Sequence, residues 1–348
     1  MIVALLTLLT SIITCCIVVF TSIYLFLKQI YLKNREEIYH DGNQAIVITG
    51  CDSGIGFELA KYFYETTKFK IICGFLRPSC SDGYKLLGEL EDQNRLILKR
   101  LNLKSTDDIE DIVKTCQSIK LHALINNAGV MTYGEFDWMT WDQIYSQVDV
   151  NIVGTLRLTR ALLPFIIENK GRIINVSSVN DKTVFPGLSI YSATKSALST
   201  FSRGLGYEMR KFGAKVVTVR LGDFARLTNI MSQHASNRDE MWNEMGTQKQ
   251  DLYRGFFQEF NDHLLQNYGM TSPKKFGEST LFLDFRMAVL AMNPPLIITC
   301  APITFRIFYF VIERIPVWLQ YNLLDLLFRF AFDWKPSNRV TTCSAFNE

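Results

Sequence analysis

Histidine and paired cysteine are what this chain lacks most. It contains four histidines among 348 residues, and no two of its eight cysteines have the C-x-x-C spacing. Zinc sites are built from clustered Cys and His ligands, and disulfide frameworks need regularly spaced cysteine pairs. We therefore expect no metal site, and thiols that stay reduced.

An excess of one sign of charge is also missing. Lys and Arg number 37 and Asp and Glu number 34, so the formal net charge is +3. A nucleic-acid-binding surface needs a marked basic excess, so we expect no nucleic-acid partner. Aromatic residues are plentiful, with 25 Phe and 14 Tyr, which indicates an apolar binding cavity or a membrane-facing surface.

The amino terminus is an uncharged, apolar run. Residues 2–27 contain no charged side chain, and Lys28, Lys33 and Arg35 come after it. About 20 apolar residues span a bilayer, and basic residues on the carboxyl side of such a run favour a cytoplasmic location for that side. We predict a transmembrane anchor at residues 1–30 and a membrane location, in the endoplasmic reticulum, with the rest of the chain facing the cytoplasm. A cleaved signal peptide is the alternative.

A glycine-rich turn comes after the first buried strand. Residues 44–48 form a short apolar run that leads into T-G-C-D-S-G-I-G and then into a helical pattern. Glycines let the backbone approach a pyrophosphate, and the helix amino terminus offers N–H groups and the positive end of a dipole. The turn predicts a dinucleotide-binding site made by Gly50, Asp52, Ser53, Gly54, Ile55 and Gly56.

The next two strands bear on the choice of dinucleotide. In open α/β sheets that bind dinucleotides, an Asp or Glu at the end of the second strand hydrogen-bonds the adenosine ribose. The strand at 70–75 ends without such an acid, and Arg77 stands just beyond it. Arg77 would accept the 2′-phosphate of NADP, whereas Asp52 in the phosphate turn would repel it. We favour NAD and keep NADP as the alternative. Asn102, after a third strand at 96–101, is placed to hydrogen-bond the adenine.

Two further polar sites lie in the middle of the chain. Asn127, Ala128 and Gly129 come directly after a buried strand, and their small or polar side chains permit close approach of a ribose and a nicotinamide. Asn151 stands where a long amphipathic helix begins, and its amide is suited to hold a water molecule or a kinked backbone.

The residues best suited to chemistry are Ser178, Tyr191 and Lys195. Tyr191 and Lys195 are four positions apart, so they share one face of a helix. Ser178 ends a buried run at 172–177, at the edge where open α/β sheets bind ligands. We expect the ammonium of Lys195 to lower the pKa of Tyr191 toward working pH, which would make Tyr191 a general acid and base.

Strands and helices alternate along the chain, which predicts an α/β fold with a doubly wound parallel sheet. Residues 42–228 are the predicted core, and 296–299 a candidate seventh strand. We predict that residues 229–335 begin with a substrate lid, whose aromatic residues at 253–260 face an apolar pocket. Apolar helices follow, which we expect to lie on a membrane or to close the mouth of the substrate pocket. Ordinary core packing is the alternative for both.

Five motifs stand in the order found in the short-chain dehydrogenase/reductase family, which the chain resembles over about residues 42–230. It is similar to the branch that holds retinol, hydroxysteroid and 3-hydroxybutyrate dehydrogenases, which implies a single-domain, Rossmann-type fold. The motifs are Thr49–Gly56, Asn126–Gly129, Asn151, Ser178, and Tyr191 with Lys195.

The resemblance also implies roles. Tyr191 would pass a proton to the carbonyl oxygen that Ser178 orients, while NAD or NADP exchanges a hydride. Lys195 would bind the ribose hydroxyls and lower the tyrosine pKa, and Asn151 would hold a water that relays protons to Lys195.

Two positions depart from the family pattern. Leu221 replaces the usual proline before Gly222, in the loop that caps the nicotinamide and that would include Thr228. Asn102 replaces the common aspartate at the adenine.

The expected activity is that of a membrane-anchored NAD(P)-dependent oxidoreductase, which interconverts a hydroxyl and a ketone on a lipophilic, steroid-type substrate. Residues 123–138 and 253–268 are similar to insect proteins implicated in ecdysteroid hormone synthesis. The alternatives are a retinol dehydrogenase and a catalytically silent relative that binds the cofactor or a partner. A hydroxy acid would need a basic clamp, for which Lys274 and Lys275 are candidates. A homodimer through the long helices near Tyr191 is a further expectation from the family.

Overall fold

Seven parallel strands form one sheet at the centre of the protein. The computed structural model describes residues 14, 15, 17–25, 37, 38, 42–90, 94–267 and 273–331. The strand order is β3-β2-β1-β4-β5-β6-β7, and every neighbouring pair is parallel. This confirms the predicted parallel α/β sheet, including its seventh strand. The strands are β1 (Gln44–Thr49), β2 (Lys70–Phe75), β3 (Leu96–Arg100), β4 (Lys120–Asn126), β5 (Arg172–Ser178), β6 (Lys215–Leu221) and β7 (Ile297–Cys300).

The central strands are almost fully buried because helices cover both faces of the sheet. All seven residues of β5 are buried, as are the last five of β1. The strand order reverses between β1 and β4, so the connections that follow these two strands leave on opposite faces of the sheet. The crevice between such connections is where open sheets of this kind bind ligands.

The helices on the sheet form two layers. One apolar cluster joins the sheet to α1 (Gly54–Thr66), α2 (Asp82–Gly88) and α9 (Leu281–Leu290). The other joins it to α3 (Thr106–Cys116), α5 (Thr155–Glu168) and α6 (Ser189–Met209). Further helices are α4 (Trp141–Val148), α7 (His234–Glu244), α8 (Thr247–Asn267), α10 (Ile303–Ile312) and α11 (Val317–Ala331).

The carboxyl-terminal part contributes to the core as well as to a covering layer. Helix α9 is buried from Phe285 to Leu290 except for one partly exposed residue, and β7 completes the sheet beside β6. Helices α7 and α8 pack on the aromatic ring of Trp138 beyond the carboxyl ends of the strands. The division of the chain at residue 228 remains a prediction.

Most of the predicted anchor, residues 1–30, lies outside the described residues. Those that are described, 14, 15 and 17–25, are helical, and Phe20 is 72% exposed. Within the described ranges, the helical stretch Trp141–Glu168 is the one that is long and apolar enough to cross a membrane. It packs on the sheet through Leu158, Leu162 and Ile166, as a core helix does.

Candidate active site

The carboxyl ends of the central strands open into a cavity of about 1370 Å³. All the predicted site residues line it except Gly56 and Asn151, which lie directly behind its wall. The lining residues of the predicted set are Gly50, Asp52, Ser53, Gly54, Ile55, Arg77, Asn102, Asn127, Ala128, Gly129, Ser178, Tyr191, Lys195, Gly222 and Thr228.

The glycine-rich turn takes a conformation that other residues would not reach without strain. Gly50 and Gly54 have φ angles of +72° and +58°. A Cβ on Gly56 would lie 2.2 Å from the carbonyl oxygen of Gly50, so only glycine permits the helix to start so close to the strand. Helix α1 then begins at the cavity with an N-cap, Ser53, that makes no side-chain capping bond. Its first N–H groups are therefore suited to an anion.

Thr49 and Asn127 hold this turn against the end of β4. The hydroxyl of Thr49 accepts hydrogen bonds from the backbone N–H groups of Asn127 (3.0 Å) and Ala128 (2.9 Å). The amide of Asn127 donates to the carbonyl oxygens of Thr49 (2.9 Å) and Gly50 (3.3 Å). The side chain of Asn127 thus holds the glycine-rich turn in place. This structural role was not predicted from the sequence.

Asp52 reaches from the turn to the end of β2. Its carboxylate accepts hydrogen bonds from the backbone N–H groups of Leu76 (2.9 Å) and Arg77 (3.1 Å). The carboxylate therefore lies where dinucleotide-binding sheets of this type place an acid for the ribose, although it comes from a different segment of the chain. Arg77 also lines the cavity.

The two sides of the nucleotide region come from the loops after β3 and β6. Asn102 lines the cavity, and its side-chain oxygen accepts a hydrogen bond from the N–H of Lys104 (3.0 Å). After β6 the chain passes Gly222 and returns over the phosphate turn, where Thr228 contacts Gly54. Leucine at position 221 in place of proline does not keep this loop from covering the turn.

Ser178, Tyr191 and Lys195 meet at the ends of β5 and α6. The hydroxyl of Ser178 lies near the phenol of Tyr191 and acts to lower its pKa. Tyr191 is 7% and Lys195 4% exposed. The Lys195 Nζ lies 5.6 Å from the centre of the Tyr191 ring and donates to the carbonyl oxygen of Val176 at 3.0 Å.

The expectation that Lys195 lowers the pKa of Tyr191 toward working pH is wrong for the protein by itself. Burial raises the pKa of Tyr191 to about 12, although the nearby hydroxyl of Ser178 acts in the opposite direction. Burial also lowers the pKa of Lys195 to about 8, against the charge of Asp181, which raises it. Both groups lose water on burial, and each is driven toward its neutral form, so the ammonium cannot offset the cost of a buried phenolate.

Asn151 lies in a single turn of π-helix, Asp149–Gly154, between α4 and α5. Its amide bonds both the N–H and the carbonyl of Val130, each at 2.9 Å, and donates to the hydroxyl of Thr194 at 3.1 Å. A Cβ on Gly129 would lie 3.3 Å from Asn151 Oδ1 and 3.4 Å from Lys195 Nζ, so both side chains converge beside this glycine. π-helical turns are common at functional sites. A water relay through Asn151 remains a prediction.

A buried ion-pair network behind the site was missed in the sequence. Arg220 donates through Nε to Asp181 at 2.8 Å and also pairs with Glu313 at the end of α10. The other oxygen of Asp181 accepts from Ser199 at 2.5 Å, one turn beyond Lys195 on α6. The network therefore joins the segment after Ser178 to α6, β6 and α10. The one visible indication was an arginine at the end of the apolar run of β6.

The aromatics predicted to line the pocket from the lid pack elsewhere. Phe256, Phe257 and Phe260 surround the ring of Trp138, with ring centres 5.0–5.4 Å from it. The alternative of ordinary packing is therefore the correct one for these three. The substrate side of the cavity is lined instead by Tyr133, Phe185, Leu188, Met231, His263, Leu264, Phe305 and Tyr309.

A family of known proteins and several individual relatives match the sequence of this chain. The family described as "short chain dehydrogenase" matches residues 44–239. The mitochondrial D-beta-hydroxybutyrate dehydrogenase of Mus musculus is 34% identical over 62% of this chain and 65% of its own length. The 17-beta-hydroxysteroid dehydrogenase type 6 of Bos taurus is 27% identical over 71% of this chain and 78% of that protein. The chain thus spans slightly less than two thirds of the mouse relative.

Among solved structures, a short-chain dehydrogenase from Streptomyces avermitilis superposes with a TM-score of 0.60 at 22% identity. The match covers 84% of this chain and 95% of that protein. At this identity the likeness concerns the fold.

Proposed function

The chain belongs to the short-chain dehydrogenase family, and on that premise we propose that it interconverts a hydroxyl and a ketone on a lipophilic, steroid-type substrate with a nicotinamide dinucleotide as cofactor. The observation that supports this most is that Ser178, Tyr191 and Lys195 meet the glycine-rich turn in a single cavity. The cavity therefore has a place for the pyrophosphate and a proton-transfer group at its two ends.

Each group of residues in the cavity has a separate role. The backbone of the glycine-rich turn and the amino terminus of α1 hold the pyrophosphate, and Lys195 holds the nicotinamide-side ribose. A bound nicotinamide supplies a hydride for reduction or accepts one in oxidation. Ser178 donates a hydrogen bond to the reacting oxygen, and Tyr191 gives that oxygen its proton. Because its pKa is about 12, Tyr191 holds this proton at neutral pH, which suits it to act as the acid in ketone reduction.

We propose that NAD is the preferred cofactor, with NADP as the alternative. Asp52 sets a carboxylate against the N–H groups of Leu76 and Arg77, where it would accept a hydrogen bond from the ribose 2′-hydroxyl and repel a 2′-phosphate. Asp52→Asn removes the repulsion. The ratio of NADPH to NADH affinity, measured by fluorescence titration, is expected to rise in the variant. An unchanged ratio would assign the preference to other residues.

A lipophilic alcohol or ketone fits the substrate side better than a hydroxy acid does. Among the described residues that line the cavity, the Lys and Arg side chains are Arg77 and Lys104 at the nucleotide end and Lys195 beneath it. Lys274 and Lys275, the candidates for a carboxylate clamp, do not line it. The carboxylate of Asp223 on the substrate side would repel an anionic substrate. A retinoid alcohol meets the same requirement and is the second candidate.

We propose that α10 and α11 lie on a membrane together with the predicted anchor. Ile303, Ile307 and Trp318 are among the exposed apolar side chains on these helices, while Phe305 and Tyr309 of α10 line the cavity. A lipophilic substrate would then enter from the bilayer. Deletion of residues 1–30 is expected to release the protein from liposomes in part; complete retention would mean that α10 and α11 are the main anchor.

The remaining proposals rest on the family and on local similarity. Residues 123–138 and 253–268 support a role in ecdysteroid hormone synthesis, in the endoplasmic reticulum membrane with the catalytic part facing the cytoplasm. The exposed, stacked rings of Trp141 and Tyr145 on α4 support a homodimer through the helices next to the site.

The variant Tyr191→Phe tests the proposed chemistry. It removes one hydroxyl, so we expect steroid turnover to fall by about 10²–10⁴-fold and NADH affinity to stay within about twofold. Tyr207→Phe, at an exposed position on the same helix, is the matched control. Loss of NADH binding in Tyr191→Phe would make the tyrosine structural. A wild-type protein that binds neither NADH nor NADPH would support the catalytically silent relative.

A further inference from the structure

The short turn Val179–Asp181 directly follows Ser178 and contacts its hydroxyl. Within this turn the N–H of Asn180 donates to the Ser178 Oγ at 3.2 Å. The turn ends in a carboxylate, Asp181, whose side chain is 2% exposed and pairs with Arg220 on β6. A buried ion pair is weak evidence for net stabilisation, so stability alone does not account for this carboxylate.

Asp181 is fastened at two points to the helix that carries Tyr191 and Lys195. Its backbone carbonyl accepts a hydrogen bond from the hydroxyl of Ser196 at 2.5 Å, and its carboxylate accepts one from the hydroxyl of Ser199 at 2.5 Å. Ser196 and Ser199 follow Lys195 by one and four residues on α6. The turn after Ser178 is therefore held against the part of α6 that directly follows Lys195.

Ser199 also contacts the end of β5. The hydroxyls of Ser199 and Ser177, the residue before Ser178, lie 2.8 Å apart. The backbone carbonyl of Lys195 lies 3.2 Å from the same Ser177 hydroxyl and is a second, longer acceptor. A chain of hydrogen bonds thus runs from Ser177 through Ser199 to Asp181, and it joins the strand that ends in Ser178 to the helix that carries Lys195.

The carboxylate gives this chain a single direction. Burial raises the pKa of Asp181, but the charge of Arg220 and the hydrogen bond from Ser199 act against this and favour the ionised form. An ionised carboxylate only accepts, so Ser199 gives it its one proton, and Ser177 must then donate to Ser199. Bonds to an ionised acceptor are strong, and bonds in such a chain strengthen one another. A neutral amide at position 181 would offer a donor as well and would not impose this order.

We propose that Asp181 and Ser199 are positioning residues, which hold Ser178 on β5 and Tyr191 on α6 in the relative position that proton transfer requires. This rests on the proposed function, in which Ser178 orients the oxygen that Tyr191 protonates. Neither Asp181 nor Ser199 lines the cavity, so both act through the residues that do. The glycine-rich turn lies after β1, outside this chain of hydrogen bonds, so the two residues should affect the reaction much more than cofactor binding.

The variant Ser199→Ala tests this while it keeps the ion pair of Asp181 and Arg220. The full-length protein in detergent is loaded with NADH and mixed with a ketosteroid. We expect the single-turnover rate of reduction to fall about tenfold, because small misplacements of reacting groups are costly, and NADH affinity to stay within about twofold. Ser199→Thr keeps a hydroxyl and should recover most of the rate. Thr200→Ala, at an exposed position on α6, is the control and should change neither value.

Three results would overturn the proposal. They are an unchanged rate in Ser199→Ala, a loss of NADH affinity as large as the loss of rate, and a rate in Ser199→Thr no higher than in Ser199→Ala. The first leaves the chain without a part in the reaction, and the other two indicate general damage to the fold.

Failure of the proposed function is a separate outcome, recognised when the wild type reduces no ketosteroid. Hydrogen exchange of the protein alone, followed by mass spectrometry, then decides the positioning role. The N–H groups of Asn180 and Thr183 are bonded within the turn and its continuation. They should exchange about three- to tenfold faster in Ser199→Ala than in Thr200→Ala, the effect of one hydrogen bond, while exchange in β1 stays unchanged. Equal exchange in the two variants, or faster exchange in β1 as well, would refute the proposal.

Discussion

Replacement of the buried Lys195 by methionine should stabilise the protein at neutral pH while it abolishes activity. Lys195 is 4% exposed, and burial lowers its pKa from an ordinary value of 10.5 to about 8. The difference corresponds to about 3 kcal/mol of destabilisation when the side chain is charged. Methionine fills a similar volume without a charge, although it loses the hydrogen bond from Nζ to Val176, which contributes about 1 kcal/mol.

The sign of the pH dependence is set by where the proton is held. Between pH 8 and 10.5 the unfolded chain keeps the Lys195 proton and the folded chain releases it, so wild-type stability gains from this residue as pH rises. Lys195→Met lacks this contribution. The variant should therefore be more stable than the wild type by about 2 kcal/mol at pH 7, and this advantage should disappear, and then reverse slightly, by pH 10.

Thermal unfolding of both proteins at pH 7, 8, 9 and 10 measures this. A chain of 348 residues has an unfolding entropy near 0.7 kcal/mol per kelvin, so the expected difference in Tm at pH 7 is about 3 °C. Lys114→Met, at an exposed position, serves as the control and should show no trend. A difference between Lys195→Met and wild type that does not change with pH would refute the reasoning.

Two further predictions concern the frame of the site. Arg220→Met leaves the buried carboxylates of Asp181 and Glu313 without their partner, so unfolding should become easier by about 3–5 kcal/mol, about 5 °C in Tm. Glu313→Gln, which keeps the pair with Asp181, should lose less, and equal losses would argue against the network. Gly56→Ala sets a Cβ 2.2 Å from a carbonyl oxygen and should weaken NADH binding at least about tenfold, because the phosphate turn must move. Gly204→Ala, with nothing within 4 Å, should leave it unchanged, and fluorescence titration compares the two.

The sheet and the location of the site could be predicted from local pattern. Short apolar runs such as that of β1 and glycines at the start of α1 are short-range features, and both were visible in the sequence. The crevice at the carboxyl ends of parallel strands is a consequence of topology, which is why residues as distant in the chain as Gly50 and Tyr191 line the same cavity.

The features that the sequence did not predict depend on distance in the chain and on burial. The partner of Arg220 stands 93 residues away at Glu313, and no local pattern connects them. Spacing placed Tyr191 and Lys195 on the same helix face, but the pKa of each is governed first by loss of water, which depends on everything packed around it. The regularly spaced aromatic residues of α8 are compatible with a pocket wall and with a packed core. They pack in a core because Trp138, which lies on another segment of the chain, fills the space between them.

The most direct test of the account traces the hydride. The full-length protein in detergent is mixed with a ketosteroid and NADH that carries deuterium at C4 on both faces, and the alcohol product is analysed by mass spectrometry. We expect one deuterium on the carbinol carbon with the wild type, and no product above background with Tyr191→Phe. A wild-type product without deuterium, or no alcohol from any steroid or retinoid carbonyl, would contradict it.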